Sequence, residues 1–289
     1  MSSMTGTGPP SAPPVAPTPP APGRDWNAIR AVIRKDLTAV KRSKAVVIPM
    51  LTVPVLLLVV LPLLIGLAAR GQDADISNFL GAVPSGLADP IRTLPQEEQL
   101  IVLVNGYLLA PLFLIVPLMV SAVLAADAFA GEKERRTMET LLHLPITNRD
   151  LFLAKLLSAF IPAVLVSWIG FVLFCIVANT VAWPVMGRIF VPTRLWLVMI
   201  FWVAPAVATL GLGVMVRVSV RARSTQEANQ LGGAVVLPLI FLAVGQSTGL
   251  LLLDLPVAMA IGAVIWVLAI ALTARGARRF TRDELATRI

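Results

Sequence analysis

Six stretches of the chain run apolar without interruption: 45–69, 101–126, 156–182, 195–216, 230–248 and 255–274. A helix needs about 20 residues to cross the hydrocarbon of a bilayer, and each stretch is near that length. The runs are continuous rather than alternating, which excludes a transmembrane β-barrel and predicts six transmembrane helices. A different pattern precedes the first run. Over 25–44, Trp26, Ile29, Ile33, Leu37 and Val40 recur at three- and four-residue steps among Arg30, Arg34, Lys35, Lys41 and Arg42. That spacing predicts an amphipathic helix capped by Asp25, lying in the membrane interface with Trp26 at headgroup depth. Between the second and third runs, Met138, Leu141 and Leu142 fall on one face of a short charged helix. Glu132 and Arg136 stand four apart on it, as do Glu139 and His143. Pro145 ends it, and Thr147 with Asp150 forms a capping-box-like start for the next helix.

Composition agrees with the pattern: of 289 residues, 57% are hydrophobic and only 14% charged. Soluble domains carry roughly 25% charged residues, so a soluble enzyme and a secreted scaffold are both excluded. The net charge of +8 suggests nucleic acid until its location is considered. Twenty of the 24 Lys and Arg residues lie before the first run, in the 127–155 and 217–229 loops, or after residue 274. Arg70, Arg92, Arg188 and Arg194 are left for the other side. The positive-inside rule then makes both termini and the two basic loops cytoplasmic. The basicity records orientation and contact with the lipid bilayer, not a nucleic-acid partner.

The remaining segments carry little chemistry. Met1–Pro22 holds eight of the 23 prolines and is expected to be disordered, so 1–24 reads as a Pro-rich cytoplasmic tail. Residues 276–289 form a basic cytoplasmic tail. The 70–100 segment reads as a loop or short helical cap, and Trp183 with Trp196 reads as an aromatic belt around the second external turn. No run holds an interior Asp, Glu, Lys or Arg, as a proton or ion relay requires. His143 is the one histidine and Cys175 the one cysteine, so a metal site, a metalloprotease and an intrachain disulfide have no residues to build on. The sequence contains no phosphate-binding G-x-x-x-x-G-K-[ST] loop. Prolines at 54, 62, 111, 117, 162, 205 and 238 predict kinks in the spans.

The first basic loop reads G-E-x-E-x-x-T-x-E-x-L-L-x-x-P, carried by Gly131, Glu132, Glu134, Thr137, Glu139, Leu141, Leu142 and Pro145, with Lys155 at the start of the third run. It resembles the permease signature of type-2 ABC exporters, although Ala154 stands where the family usually has Gly before the Lys. The resemblance implies an all-α permease domain over 45–275, with six transmembrane helices, the interfacial helix 25–44 and a cytoplasmic coupling helix between spans two and three. It implies further that two copies, or two similar permeases, form an export pathway in a prokaryotic plasma membrane. The permease itself is then no enzyme and binds no cofactor; ATP and magnesium belong to a separate cytoplasmic ABC ATPase. Gly131, Glu132, Glu134, Thr137, Met138, Glu139, Leu141, Leu142 and Pro145 are the expected ATPase-coupling residues, with Glu132 and Glu134 in the first turn of the coupling helix. Two other classes are open to the sequence alone. A non-transporting membrane scaffold or assembly factor explains bland spans equally well, and a lipid-modifying enzyme suffers from the lack of an acid, base or metal cluster.

Overall fold

A computed structural model describes residues 25–70, 76–82, 85–134, 146–222, 224–247 and 255–279. Among these residues the chain is helical, with no strand. α1 is Trp26–Arg42, and Asp25 caps it as expected, its carboxylate accepting the amides of Asn27 and Ala28 at 3.0 Å. Among the described residues, five helices are long and apolar enough to cross a membrane: α2, Val46–Ala68; α5, Gln96–Gly131; α6, Asn148–Met186; α7, Arg194–Ser219; and α10, Leu255–Ala277. Between α2 and α5 lie two short helices, α3 (Ser77–Ala82) and α4 (Ser85–Arg92). Leu80, Ala88 and Ile91 of this cap pack with Leu103 of α5.

The run at 230–248 folds differently from a single span. It is divided into α8, Thr225–Gly233, and α9, Leu237–Ser247, by a 3-10 turn over Ala234–Val236. Pro238 explains the break. Proline donates no N–H, and its ring crowds the carbonyl four residues earlier, here that of Ala234. The same cause recurs elsewhere. Widened π-turns at Leu56–Val60, Val102–Leu108 and Met199–Val203 contain the residues four before Pro62, Pro111 and Pro205. A π-turn absorbs the lost bond without ending the helix. Pro162, by contrast, sits inside the uninterrupted α6.

α5 is the central helix, with 67% of its most apolar window buried against 28% for α2 and α6 and 17% for α10. The other spans turn large apolar side chains outward, among them Leu64 on α2, Ile169 on α6, Phe201 on α7 and Val267 on α10. No aqueous protein surface carries that much exposed hydrocarbon; lipid does. The chain is a multi-pass membrane protein.

Two expectations change. Trp183 is exposed, but Trp196 is fully buried among Phe113, Phe171 and Phe174, and its indole N–H donates to the Asn105 carbonyl at 3.1 Å. Trp196 is thus a core residue, not a belt anchor. The apolar stripe of α1 is also shared with protein: Ile29, together with Val32, packs against Ile146 and against Leu151 and Ala154 of α6, whereas Trp26 is exposed and Ile33 and Leu37 are half-buried. Ala154 lies at this contact with no exposed surface.

Candidate functional site

Four elements meet at the basic end of the bundle: α1, the end of α5, the start of α6 and the start of α8. The end of α5 is a π-turn, Asp127–Gly131, followed directly by the helical residues Glu132–Glu134. Glu132 and Glu134 therefore extend the second span instead of opening a separate helix. Their charge faces the carbonyl end of α5, where the helix dipole offers nothing to a carboxylate. Side chains and amides from other elements supply the compensation.

Glu132 is 6% exposed. One carboxylate oxygen pairs with the ammonium of Lys155, which has no exposed surface and also donates to the Ala128 carbonyl at 2.7 Å. The Lys155 ammonium lies 5.6 Å from the Phe129 ring centroid, adding a cation–π contact. The other Glu132 oxygen accepts from Lys35 of α1 at 2.8 Å. Lys35 also pairs with Asp36 at 3.1 Å, and the second Asp36 oxygen lies 3.2 Å from the Ser158 hydroxyl of α6. Buried charges persist only when paired and hydrogen-bonded, and here each lysine meets a carboxylate. Burial pulls the Lys35 ammonium down, but the hydrogen bond and charge of Glu132, then Asp36, outweigh it and raise its pKa above the ordinary lysine value. A raised lysine stabilises the fold up to that value and is lost only above it. Lys35 is accordingly charged at every physiological pH. The cluster borders a cavity of about 270 Å³, lined by Lys35, Asp36, Val40, Leu124, Asp127 and Glu132.

Glu134 points the other way. Its carboxylate accepts both the backbone N–H and the hydroxyl of Thr225, each at 3.0 Å, at the N-terminus of α8. Gly131 permits this approach: a Cβ there would stand 3.0 Å from an Asp127 carboxylate oxygen and 3.3 Å from the Thr225 hydroxyl. Beyond the loop, Thr147 caps α6, its hydroxyl oxygen 3.1 Å from the Asp150 amide, so the predicted start of that helix is present.

Of the expected site residues, the structure brings Gly131, Glu132 and Glu134 together at this junction. Thr137, Met138, Glu139, Leu141, Leu142 and Pro145 lie outside the described residues. Sequence reasoning missed Lys35, Asp36, Ser158 and Thr225 as partners. One signal was present: Asp36 occupies an apolar-face position of α1, in register with Ile29 and Val32, and a carboxylate there announces a buried partner. Among the described residues no group of three or more His, Cys, Asp or Glu side chains is placed to hold a metal ion. Among the described residues the arrangement is a junction of four helices tied by ion pairs and hydrogen bonds.

Known proteins identify the setting of this junction. A search among curated proteins finds no match. The family model described as ABC-2 family transporter protein matches residues 30–257, from α1 through the start of α10. This chain belongs to that family: it is the membrane-spanning permease component of a type-2 ABC transporter, a part that transports rather than catalyses.

Proposed function

We propose that the permease is half of an ATP-driven exporter: two copies form the pathway, and separate ABC ATPase subunits, holding ATP and magnesium, dock on the 131–145 loop. The observation that carries this reading is the anchoring of the loop's base. Glu132 ties it to α1 and α6, and Glu134 ties it to α8, so a displacement of the loop reaches every element at this end. With their carboxylates engaged inside the chain, Glu132 and Glu134 set the pose of the loop, while Met138, Leu141 and Leu142 supply contact area to the ATPase. The sequence itself has no phosphate-binding loop, so work must come from such a partner. In this arrangement Thr225–Ser247 makes the sixth crossing as a broken helix. α1 lies in the cytoplasmic interface, its half-exposed flank of Trp26, Ile33 and Leu37 towards acyl chains and Arg30, Arg34 and Lys41 at phosphate level.

Truncating interface anchors typically costs about 2 kcal/mol or more, roughly a 30-fold loss of affinity. Leu142→Ala should therefore reduce ATPase recovery on affinity purification from membranes by that order, with unchanged thermal stability of the permease. Recovery of equal ATPase with parent and variant, or of none with the parent, contradicts the docking assignment.

Orientation has its own test. In a Cys175→Ser background, an impermeant maleimide applied to intact cells should label Ser85→Cys on the external cap and spare Gln226→Cys on α8; both positions are exposed in the fold. The reverse pattern would overturn the assigned topology.

A further inference from the structure

The Glu134–Thr225 contact joins the first loop to the one apolar segment that the fold divides. α8 and α9 flank the 3-10 turn Ala234–Val236, with Gly232 and Gly233 before it and Pro238 after it. Glycine and proline on either side of a 3-10 turn lower the cost of bending there, because the regular i to i−4 ladder is already interrupted. α9 has a wide outward face: Leu237, Ile240 and Phe241 are all exposed, Phe241 at 71%. At its other end α8 is capped and tied to the loop base. Ser224 caps it through the Glu227 amide at 3.1 Å, and Glu134 takes both donors of Thr225 at 3.0 Å. A carboxylate at a helix N-terminus is favoured by the dipole and by the free amides there. The two sides of the loop base thus differ in kind. Glu132 is buried in a salt-bridge cluster with α1 and α6, whereas Glu134 is exposed and holds a helix end that leads into the 3-10 turn.

We infer that Thr225 is a positioning residue, through which Glu134 transmits movement of the first loop to α8 and, across the 234–236 hinge, to α9. The inference rests on the ATPase docking proposed above and adds the route by which docking reaches the divided segment. Thr225 is the first residue of α8 and follows Ser224, whose backbone is extended at φ −140° and ψ 162°. That geometry accepts proline next, since the first helical turn needs no amide donor and a residue before proline prefers extended backbone. Thr225→Pro therefore deletes both donors to Glu134 while leaving α8 able to form. Thr225→Ser retains both.

The test uses the permease with its co-purified ATPase, in the Cys175→Ser background, with spin labels at Ile169→Cys on α6 and Phe241→Cys on α9. Distances are measured without nucleotide and after trapping with ATP, magnesium and orthovanadate. In the parent, trapping should shift the distance distribution. Thr225→Pro, with ATPase binding retained, should reduce the shifted population by about fivefold, the low end of measured coupling between sites, and so should Glu134→Ala when compared at equal bound ATPase. Thr225→Ser should restore it, which a merely structural defect in α8 would not explain. An unchanged shift in Thr225→Pro and Glu134→Ala, or no shift in the parent despite bound ATPase, overturns the route and leaves ATPase docking standing. Failure of the parent to bind ATPase at all overturns docking itself, and the route with it.

Discussion

Lys155→Met should lower the thermal unfolding midpoint of the purified permease more than any single substitution on the outward faces of the spans. Lys155 is fully buried, and its ammonium serves Glu132 and the Ala128 carbonyl. Methionine keeps much of the volume but supplies no donor, so Glu132 loses its buried cation and the Ala128 carbonyl loses that hydrogen bond. Breaking a buried pair by removing one member typically costs about 3–5 kcal/mol, because the remaining charge is neither solvated nor matched. In a chain of this size that corresponds to a fall on the order of 10 °C. Removing the charge on both sides, Glu132→Gln with Lys155→Met, should recover more than half of the loss, since replacing both partners of a buried pair is often nearly neutral. Lys35 tolerates the exchange because its side chain is half exposed. A single Lys155→Met variant as stable as the parent would show that the ammonium does not hold this junction together.

The second large effect concerns the contact of α2 with α6. A Cβ at Gly66 would stand 2.2 Å from the Val181 Cγ1 and 2.8 Å from its Cβ. Valine has one strongly preferred rotamer in a helix and cannot swing aside. The backbone at Val181 is also held, since its carbonyl accepts from the Arg70 guanidinium at 2.8 Å. The helices must therefore part. Overpacking of this kind typically costs about 1–3 kcal/mol. Gly66→Leu should approach the upper end; Gly66→Ala should cost less, because alanine regains up to about 1 kcal/mol of helix propensity. Val181→Ala should relieve both. Gly232→Ala is the control: its Cβ would approach the Met215 sulfur at 2.1 Å, but a thioether on three rotatable bonds can move away. Equal melting midpoints for Gly66→Leu and Gly232→Ala would contradict this account of the interface.

Much of the architecture was readable because its causes are local. Apolar length placed the five long helices to within a few residues at most ends, and Asp25 and Thr147 cap where the pattern put them. The proline positions carried the π-turns and the division of α8 from α9, although the sequence alone predicted one span kinked at Pro238 rather than two helices. What stayed hidden is tertiary. Lys35 meets Glu132 across 97 residues, and Glu134 meets Thr225 across 91; no periodicity encodes such pairings. Trp196 and Trp183 are alike in sequence context, and only the packing of three phenylalanines on Trp196 separates core from surface. The signature loop pointed to the right junction. It did not reveal that Glu132 faces inward, since an i, i+4 pairing with Arg136 accounted for the charge equally well.

In the proposed working unit this 30.8-kDa chain is a half-transporter, completed by a second permease and powered from outside. Native mass spectrometry of the protein released gently from its own membranes tests it most directly. The expected result is an assembly with two permease copies, or one copy and a similar permease, together with two nucleotide-binding subunits that dissociate before the permeases do. A single 30.8-kDa chain carrying lipid alone, under conditions that keep known membrane complexes intact, would contradict it.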